Sequence, residues 1–388
     1  MTGTTLDVDV TDRSLYRNGF PHELFTELRA RGAVLRHPKV VLERAPEGMD
    51  FWVVTRHAEV LEASRDWQRF SSLDGPALSP VDGMQESHTL VFADPPTHTR
   101  LRKLISAGFT PRMIARLDEQ ITRRAGEILD AVDERDGEVD FVRDIAYVLP
   151  MQLIGDIIGI PESDRPYVFG LTDVFMRAGD PESGLTPDDR ERVQVDLYMY
   201  ATELGARKRA QPEDDVWSIL ASAEIDDEGE RVRLSDFQLD VFFLILSVAG
   251  SETTRNAISQ GLAALAERPD DLRALRNDPA LWDTATDEII RWASPVTDFG
   301  RTATRDTSLG GGGHRRGRAG CALLSVGEPR RTGLRRSVPL RRPPGSESPR
   351  VVRRGRRALL PRCAPRAARD PHAVRAALGA VRSRRHHR

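Results

Sequence analysis

The chain has 388 residues, enough for one large domain or two to three small ones and ample for a buried core. Its polar, acidic start, MTGTTLDVDVTD, does not read as a signal peptide. The longest apolar run, VFFLILSVA at 241–249, is too short to span a bilayer, and two cysteines, Cys321 and Cys363, argue against a disulfide scaffold. The net charge of −2 conceals a split: residues 310–388 hold 22 Arg, no Lys and three acids, a balance of +19, which leaves −21 for the remainder.

In chain order, FPHELFTELRARGAV (20–34) places apolar residues at helical spacing and ends at Gly32. FWVVTRHAEVLEASRD (51–66) opens as a short β-rich run and continues as a helix. The stretch 100–135 reads as two amphipathic helices broken near Thr110-Pro111. Residues 235–270 form one long helix, with Ser235 as N-cap, Gln238 at the capping-box position and Pro269 beyond its end. PALWDTATDEIIRWASPV (279–296) is another helix, stopped before Pro295. Strands are few, no internal repeat is present, and the fold class expected is mainly α with a minor β part.

Residues 310–388 differ from everything before them. They lack Phe, Tyr, Trp, Ile, Met, Asn, Gln and Lys altogether. Such a segment has little apolar area to set against chain entropy, so it is expected to be disordered or to pack poorly.

Three stretches in the body carry chemistry. In FADPPTHTRLRKLI (92–105) two prolines stop at Thr97, and His98 and Arg102 follow at i, i+4 on one helix face. Such a pair suits an anionic ligand, because Arg offers a planar fork of donors; the competing reading is a solvated basic face. Within the long helix, the apolar run gives way at once to Gly250, Ser251, Glu252, Thr253 and Thr254. A glycine, an acid and an alcohol at one turn of a buried helix predict a local distortion, since a Thr hydroxyl can bond the carbonyl one turn earlier. The competing reading is a helix leaving the core. In DEIIRW (287–292), Glu288 and Arg291 stand at i, i+3 among apolar neighbours and can pair. PVTDFGRTATRD (295–306) follows, with Arg301 in an extended stretch.

Together and in this order, these stretches resemble the cytochrome P450 family, in its soluble actinobacterial form, over about residues 10–311. FADPPTHTRLRKLI resembles its C-helix segment, AGSETT (249–254) its oxygen-binding I-helix motif, DEIIR its Glu-x-x-Arg helix, and PVTDFGRTATRD the strand after it. The resemblance implies a P450 fold over residues 1–311 and an activity that inserts one atom of O2 into an apolar small molecule. It implies haem b as cofactor, a ferredoxin or similar electron donor, a cytoplasmic location and no membrane. His98, Arg102 and Arg301 would bind the haem propionates. Ala249 and Gly250 would form the flattened turn over the haem face, and Glu252 with Thr253 would relay protons. Glu288 and Arg291 would lock the region behind the haem-ligand loop.

The family also needs a cysteine thiolate below the iron, in a Phe-Gly-x-Gly…Cys-x-Gly loop. This chain lacks that loop as written: Cys321 stands in RAGCALL and Cys363 in LPRCAPRA, so neither is assigned as a metal ligand. The residues missing from 310–388 are mainly those with A/T-rich codons, and the abundant ones have G/C-rich codons, as in GC-rich DNA translated in the wrong frame. Shifted by one base, residues 351–371 permit SFGGGGAHYCLGAHLARREI, a full haem loop and helix, in which the ligand codon straddles Leu360 and Pro361. In the same frame 325–342 permits SANRDEPVFADPFRFDVR. The slip is expected between about Gly311 and His314, in the glycine run, so that 312–388 is an aberrant tail. Two alternatives compete: a haem-free pseudoenzyme, and a helical protein whose Arg-rich tail contacts nucleic-acid phosphates, although the tail has no stacking aromatics.

Overall fold

The computed structural model describes residues 5–17, 19–42, 45–76, 89–135, 138–178, 180–227, 230–314 and 321–324. Helix α1 (His22–Arg31) is followed by the short strands β1 (Val34–Arg36), β2 (Val40–Leu42), β3 (Ala45–Met49) and β4 (Trp52–Val54), then α2 (His57–Arg65) and β5 (Phe70–Ser71). Next come α3 (Thr97–Ala107), α4 (Pro111–Asp133), a π-helical turn at Val142–Ala146, α5 (Val148–Ile158), α6 (Arg165–Arg177), α7 (Pro187–Ala210) and α8 (Val216–Ser222). A hairpin of β6 (Glu224–Asp227) and β7 (Glu230–Arg233) leads into α9 (Asp236–Ala266), α10 (Pro269–Asn277) and α11 (Trp282–Ala293). The strands β8 (Asp298–Phe299), β9 (Thr302–Ala303), β10 (Thr307–Leu309), β11 (Gly312–His314) and β12 (Cys321–Leu324) close the described chain. The mainly helical class with a minor β part is the class expected.

The chain divides into two compact units, one holding the described residues up to Thr99 together with those from Val296 onward, the other Arg100–Pro295. In the first unit a four-stranded sheet runs in the order β1-β4-β12-β8. Strand β12 lies parallel to β4 and antiparallel to β8, with Cys321 opposite Trp52 and Leu323 opposite both Val54 and Phe299. On this frame Phe25 and Leu28 of α1 pack with Leu35, Phe51, Val53 and, from the N-terminal segment, Leu6 and Val10. Within the stretch expected to pack poorly, two short segments are thus strands, because backbone hydrogen bonds are open to any sequence and CALL is an apolar run. The rest of 312–388, Cys363 included, lies outside the described residues. The glycine run has a local role too. Leu309 pairs with Gly312, leaving Gly310 and Gly311 as a two-residue loop with φ of 55° and 83°. Two positive φ values in succession suit the primed hairpin turns, where glycine is favoured.

In the second unit α9 is the central element, packed against α5, α6, α7, α10, α11 and the π-helical turn. Its start is fixed by a complete capping box: the Ser235 hydroxyl accepts from the Gln238 amide at 3.1 Å, and the Gln238 side chain accepts from the Ser235 amide at 3.0 Å. Leu239, Val241, Phe242, Phe243 and Leu244 are all buried, each burial contributing roughly 1.5–3 kcal/mol. Trp217 of α8 stacks on Phe242 and meets Phe243 edge-on. Helix α4 begins where the sequence breaks, at Thr110, whose hydroxyl accepts from the Met113 amide with Pro111 at the first helical position. Its buried stripe, Met113, Leu117, Ile121, Ala125 and Leu129, repeats every four residues.

Candidate active site

Helix α9 carries the acid–alcohol turn in its middle. Ten of its 31 residues are buried, among them Ser247 and Ser251, which face the core, with the Ser251 hydroxyl donating to the Ser247 carbonyl at 2.7 Å. The other face differs: Ala249 is exposed, and Ile245 and Thr253, four residues to either side, are half-buried. Between Phe237 and Thr254, both exposed, Ala249 is the one exposed position, so the middle of this central helix opens at an alanine. The Thr253 hydroxyl donates to the Ala249 carbonyl at 2.7 Å, the back-bond expected of it. The helix nevertheless runs α-helical without a break from Asp236 to Ala266, so the expected distortion is not a break in the ladder.

Gly250 has a packing reason of its own. A Cβ built there would stand 2.4 Å from Ile154 Cδ1 of α5, so the glycine lets the two helices approach. Glu252 is paired, as a carboxylate in this position must be: Arg255 donates to its Oε1 at 2.5 Å and Asn256 at 3.0 Å. The sequence reading missed both partners, although their i+3 and i+4 spacing was the signal. Behind this turn lies a cavity of about 450 Å³ lined by Tyr147, Phe169, Asp173 and Arg255 among others. Burial pushes the Tyr147 phenol up to about 12, with the charges of Asp173 and Glu252 adding and Arg255 opposing.

Glu288 and Arg291 form a doubly hydrogen-bonded pair in α11, with both contacts at 2.7 Å and side chains only 6% and 11% exposed. Trp282, Ala285 and Ile289 of the same helix anchor it against Ala264 and Leu265 of α9. His98 and Arg102 are both half-buried on α3, beside the fully or nearly buried Leu101, Leu104 and Ile105. Arg301 sits in the first unit between β8 and β9 and is 6% exposed. Its guanidinium donates to its own neighbour's carbonyl, Gly300 O, at 2.7 Å, and among the described residues it has no carboxylate within ion-pair distance. Burial pulls its pKa down, opposed by the more distant charge of Asp94. Asp94 is itself engaged by the Ser71 hydroxyl at 2.5 Å and the Ser72 amide at 2.9 Å. A buried guanidinium without a counter-ion is costly, and an anionic ligand group would relieve it.

No protein-family profile matches the chain. Individual relatives do. Cytochrome P450 126 of Mycobacterium tuberculosis is 43% identical over 314 residues, 78% of this chain and 74% of that protein. The chain belongs to the cytochrome P450 family. The steroid C26-monooxygenase of Mycolicibacterium smegmatis is 36% identical over 318 residues, covering 79% of this chain and 71% of its own. Among solved structures, the Mycobacterium marinum cytochrome P450 CYP268A2 in complex with pseudoionone matches with a TM-score of 0.72 and 36% identity, over 81% of this chain and 78% of that one. P450 relatives are haem-thiolate monooxygenases that take electrons from redox partners and act on hydrophobic substrates. The cofactor implied by membership is haem b. Among the described residues no helix is long and apolar enough to cross a membrane, and no cluster of three or more His, Cys, Asp or Glu could hold a metal ion.

Half of what a haem needs is present in the described residues. In the second unit the exposed Ala249 leaves α9 open to a flat apolar group, and in the first unit, taken by itself, the unneutralised Arg301 suits a carboxylate. The axial thiolate does not fit. Cys321 is the one cysteine among the described residues, and its backbone is tied into β12 as a strand position opposite Trp52, rather than lying in a glycine loop whose amides can approach a sulfur.

Proposed function

We propose that the chain is a P450 monooxygenase body, residues 1–311, whose haem-ligand loop is encoded out of frame, and that residues 312–388 are the aberrant product of that slip. In this reading His98, Arg102 and Arg301 hold the propionates of haem b, and Ala249 with Gly250 keeps the helix surface flat above the ring. Glu288 and Arg291 act structurally behind the ligand loop. The bound group would supply the oxygen-activating chemistry; this chain's own residues would manage the proton. The Thr253 hydroxyl proton now points to the Ala249 carbonyl, and a rotation about the Thr253 Cα–Cβ bond would turn it to the open face. Glu252, one residue earlier, is held by Asn256 and by Arg255, which lines the neighbouring cavity, and would resupply that proton.

The observation that carries the reading is the exposed Ala249 in the middle of the central helix, with the half-buried Ile245 and Thr253 one turn to either side, in a chain 43% identical to a P450. The steroid substrate of one relative and the pseudoionone bound to a structural neighbour support an apolar substrate. A ferredoxin is the electron donor we assign, and the cytoplasm the location. Resequencing the gene across the codons for residues 305–320 tests the frame directly. A single-base discrepancy in the glycine tract is the expected outcome; a clean read of the given frame in the source genome, with the encoded chain holding thiolate-ligated haem, would overturn it.

A further inference from the structure

His37 is completely buried at the end of β1, and its ring stacks on Phe51 at 4.3 Å with the planes 11° apart. Both ring nitrogens are committed. Nδ1 lies 2.7 Å from the Pro38 carbonyl, which can only accept, so Nδ1 carries the proton. Nε2 must then be bare, and it accepts the Val10 amide at 3.0 Å. The two contacts leave a single allowed state, the neutral Nδ1–H tautomer, and a second proton on Nε2 would point at the Val10 N–H.

What this contact holds is the N-terminal strap, residues 5–17. The strap covers the outer edge of β1, with Leu6 N donating to Arg36 O at 2.8 Å and Thr5 bridging to Arg36. It supplies Leu6 and Val10 to the core of α1, β1 and β4. We propose that His37 is an acid-sensitive clasp: the neutral imidazole fastens the strap to β1, and protonation releases it, uncovering the edge of β1 and the apolar cluster beneath.

The charged neighbours from each side bear on the sign. From the strap, Asp9 Oδ1 lies 3.3 Å from Nε2, but that oxygen already accepts from the Thr11 amide and hydroxyl at 2.8 and 2.6 Å. Asp7 is engaged by Arg31 of α1 at 2.5 Å, and the Tyr16 hydroxyl by the Val10 carbonyl at 2.9 Å. From β1 and the turn before β4, Arg36 pairs with Asp50 at 2.7 Å, and Lys39 lies two residues beyond His37 on its C-terminal side. Burial is the largest influence and disfavours the charged ring; the Pro38 carbonyl and then Asp9 favour it but do not offset burial, so the ring in the closed strap titrates below its ordinary 6.5. A folded-state value below the open-state value means that closure is fully supported above pH 6.5 and weakens as pH falls from there toward the folded value.

Native-state hydrogen exchange of the full chain, read by mass spectrometry on peptides covering residues 5–17 and corrected for intrinsic pH dependence, tests this. The protection of these amides should fall about tenfold per pH unit below 6.5 in the wild type, as one linked proton requires. His37→Gln, which keeps an acceptor near the Val10 amide but does not titrate, should give a flat profile. Equal slopes in both proteins, or no slope in the wild type, would overturn the clasp. Should His37→Gln not fold, nitrogen-15 spectra of the His37 ring in the wild-type chain decide: a neutral Nδ1–H ring at pH 7.5 is expected, and an Nε2–H or doubly protonated ring refutes it.

Discussion

Replacing Arg291 by Met would leave the Glu288 carboxylate at a site that is 6% exposed, stripped of two hydrogen bonds of 2.7 Å. Hydrogen bonds to charged groups are worth about 1.5–3 kcal/mol each, and removing one partner of a buried ion pair costs roughly 3–5 kcal/mol in all. With a urea dependence of about 1–3 kcal/mol per molar, the midpoint of the unfolding step that reports on α11 should fall by about 1 M or more. Trp282 and Trp292 lie on that helix and make intrinsic fluorescence a local probe. The double variant Glu288→Leu/Arg291→Met has no stranded charge and should recover most of the loss. A shift below about 1 kcal/mol for Arg291→Met, or a double variant as unstable as the single one, would refute the view of this pair as a buried lock and return it to an ordinary surface bridge.

Gly250→Ala should change stability in thermal or urea unfolding by no more than about 1 kcal/mol, because its Cβ would stand 2.4 Å from Ile154 Cδ1, a side-chain tip that can move aside, while alanine gains about 1 kcal/mol over glycine within a helix; combined with Ile154→Val, which removes that tip, the alanine should cost less still. In a frame-restored protein, Thr253→Ala should release electrons as peroxide instead of product, measured as a fall in product formed per reduced nicotinamide consumed; unchanged coupling removes Thr253 from the mechanism. Asp156 is buried, which raises its pKa, but hydrogen bonds from Arg124 at 3.0 Å and Arg165 at 2.7 Å outweigh burial and hold it below the ordinary 3.8. Its stabilising contribution is therefore present above pH 3.8 and lost as pH falls through the lower folded value, so Asp156→Asn should flatten the acid limb of stability against pH.

Helix ends were legible where local chemistry writes them. Ser235 with Gln238, and Thr110 with Pro111, are complete signals within four residues, and both helices begin there. The Glu288–Arg291 pair was legible for the same reason, since one helical turn brings the two groups together without help from the rest of the fold. What depends on distant chain was not. Nothing near Gly250 in the sequence points to Ile154, almost a hundred residues earlier, as the side chain packed against it. Nothing in CALL tells that it lies between β4 and β8. Helix α7 is polar on most faces and buries only a narrow line through Val193, Leu197, Ala201 and Leu204, so its period is faint against the charges around it. In the candidate site the turn from Ala249 to Thr253 was readable as a unit, and the clamp of Arg255 and Asn256 on Glu252 was as local as the Glu288–Arg291 pair, its i+3 and i+4 spacing present in the sequence but passed over.

The most direct test is the spectrum of the ferrous–carbon monoxide complex after haem b is added to the 388-residue chain, run beside a chain whose reading frame is restored after Gly311. The restored chain should give the red-shifted band of a thiolate-ligated haem, and the 388-residue chain should not, because its glycine loop and ligand cysteine are absent as written. The same band from the 388-residue chain would contradict the frame slip and place the axial sulfur at Cys321 or Cys363.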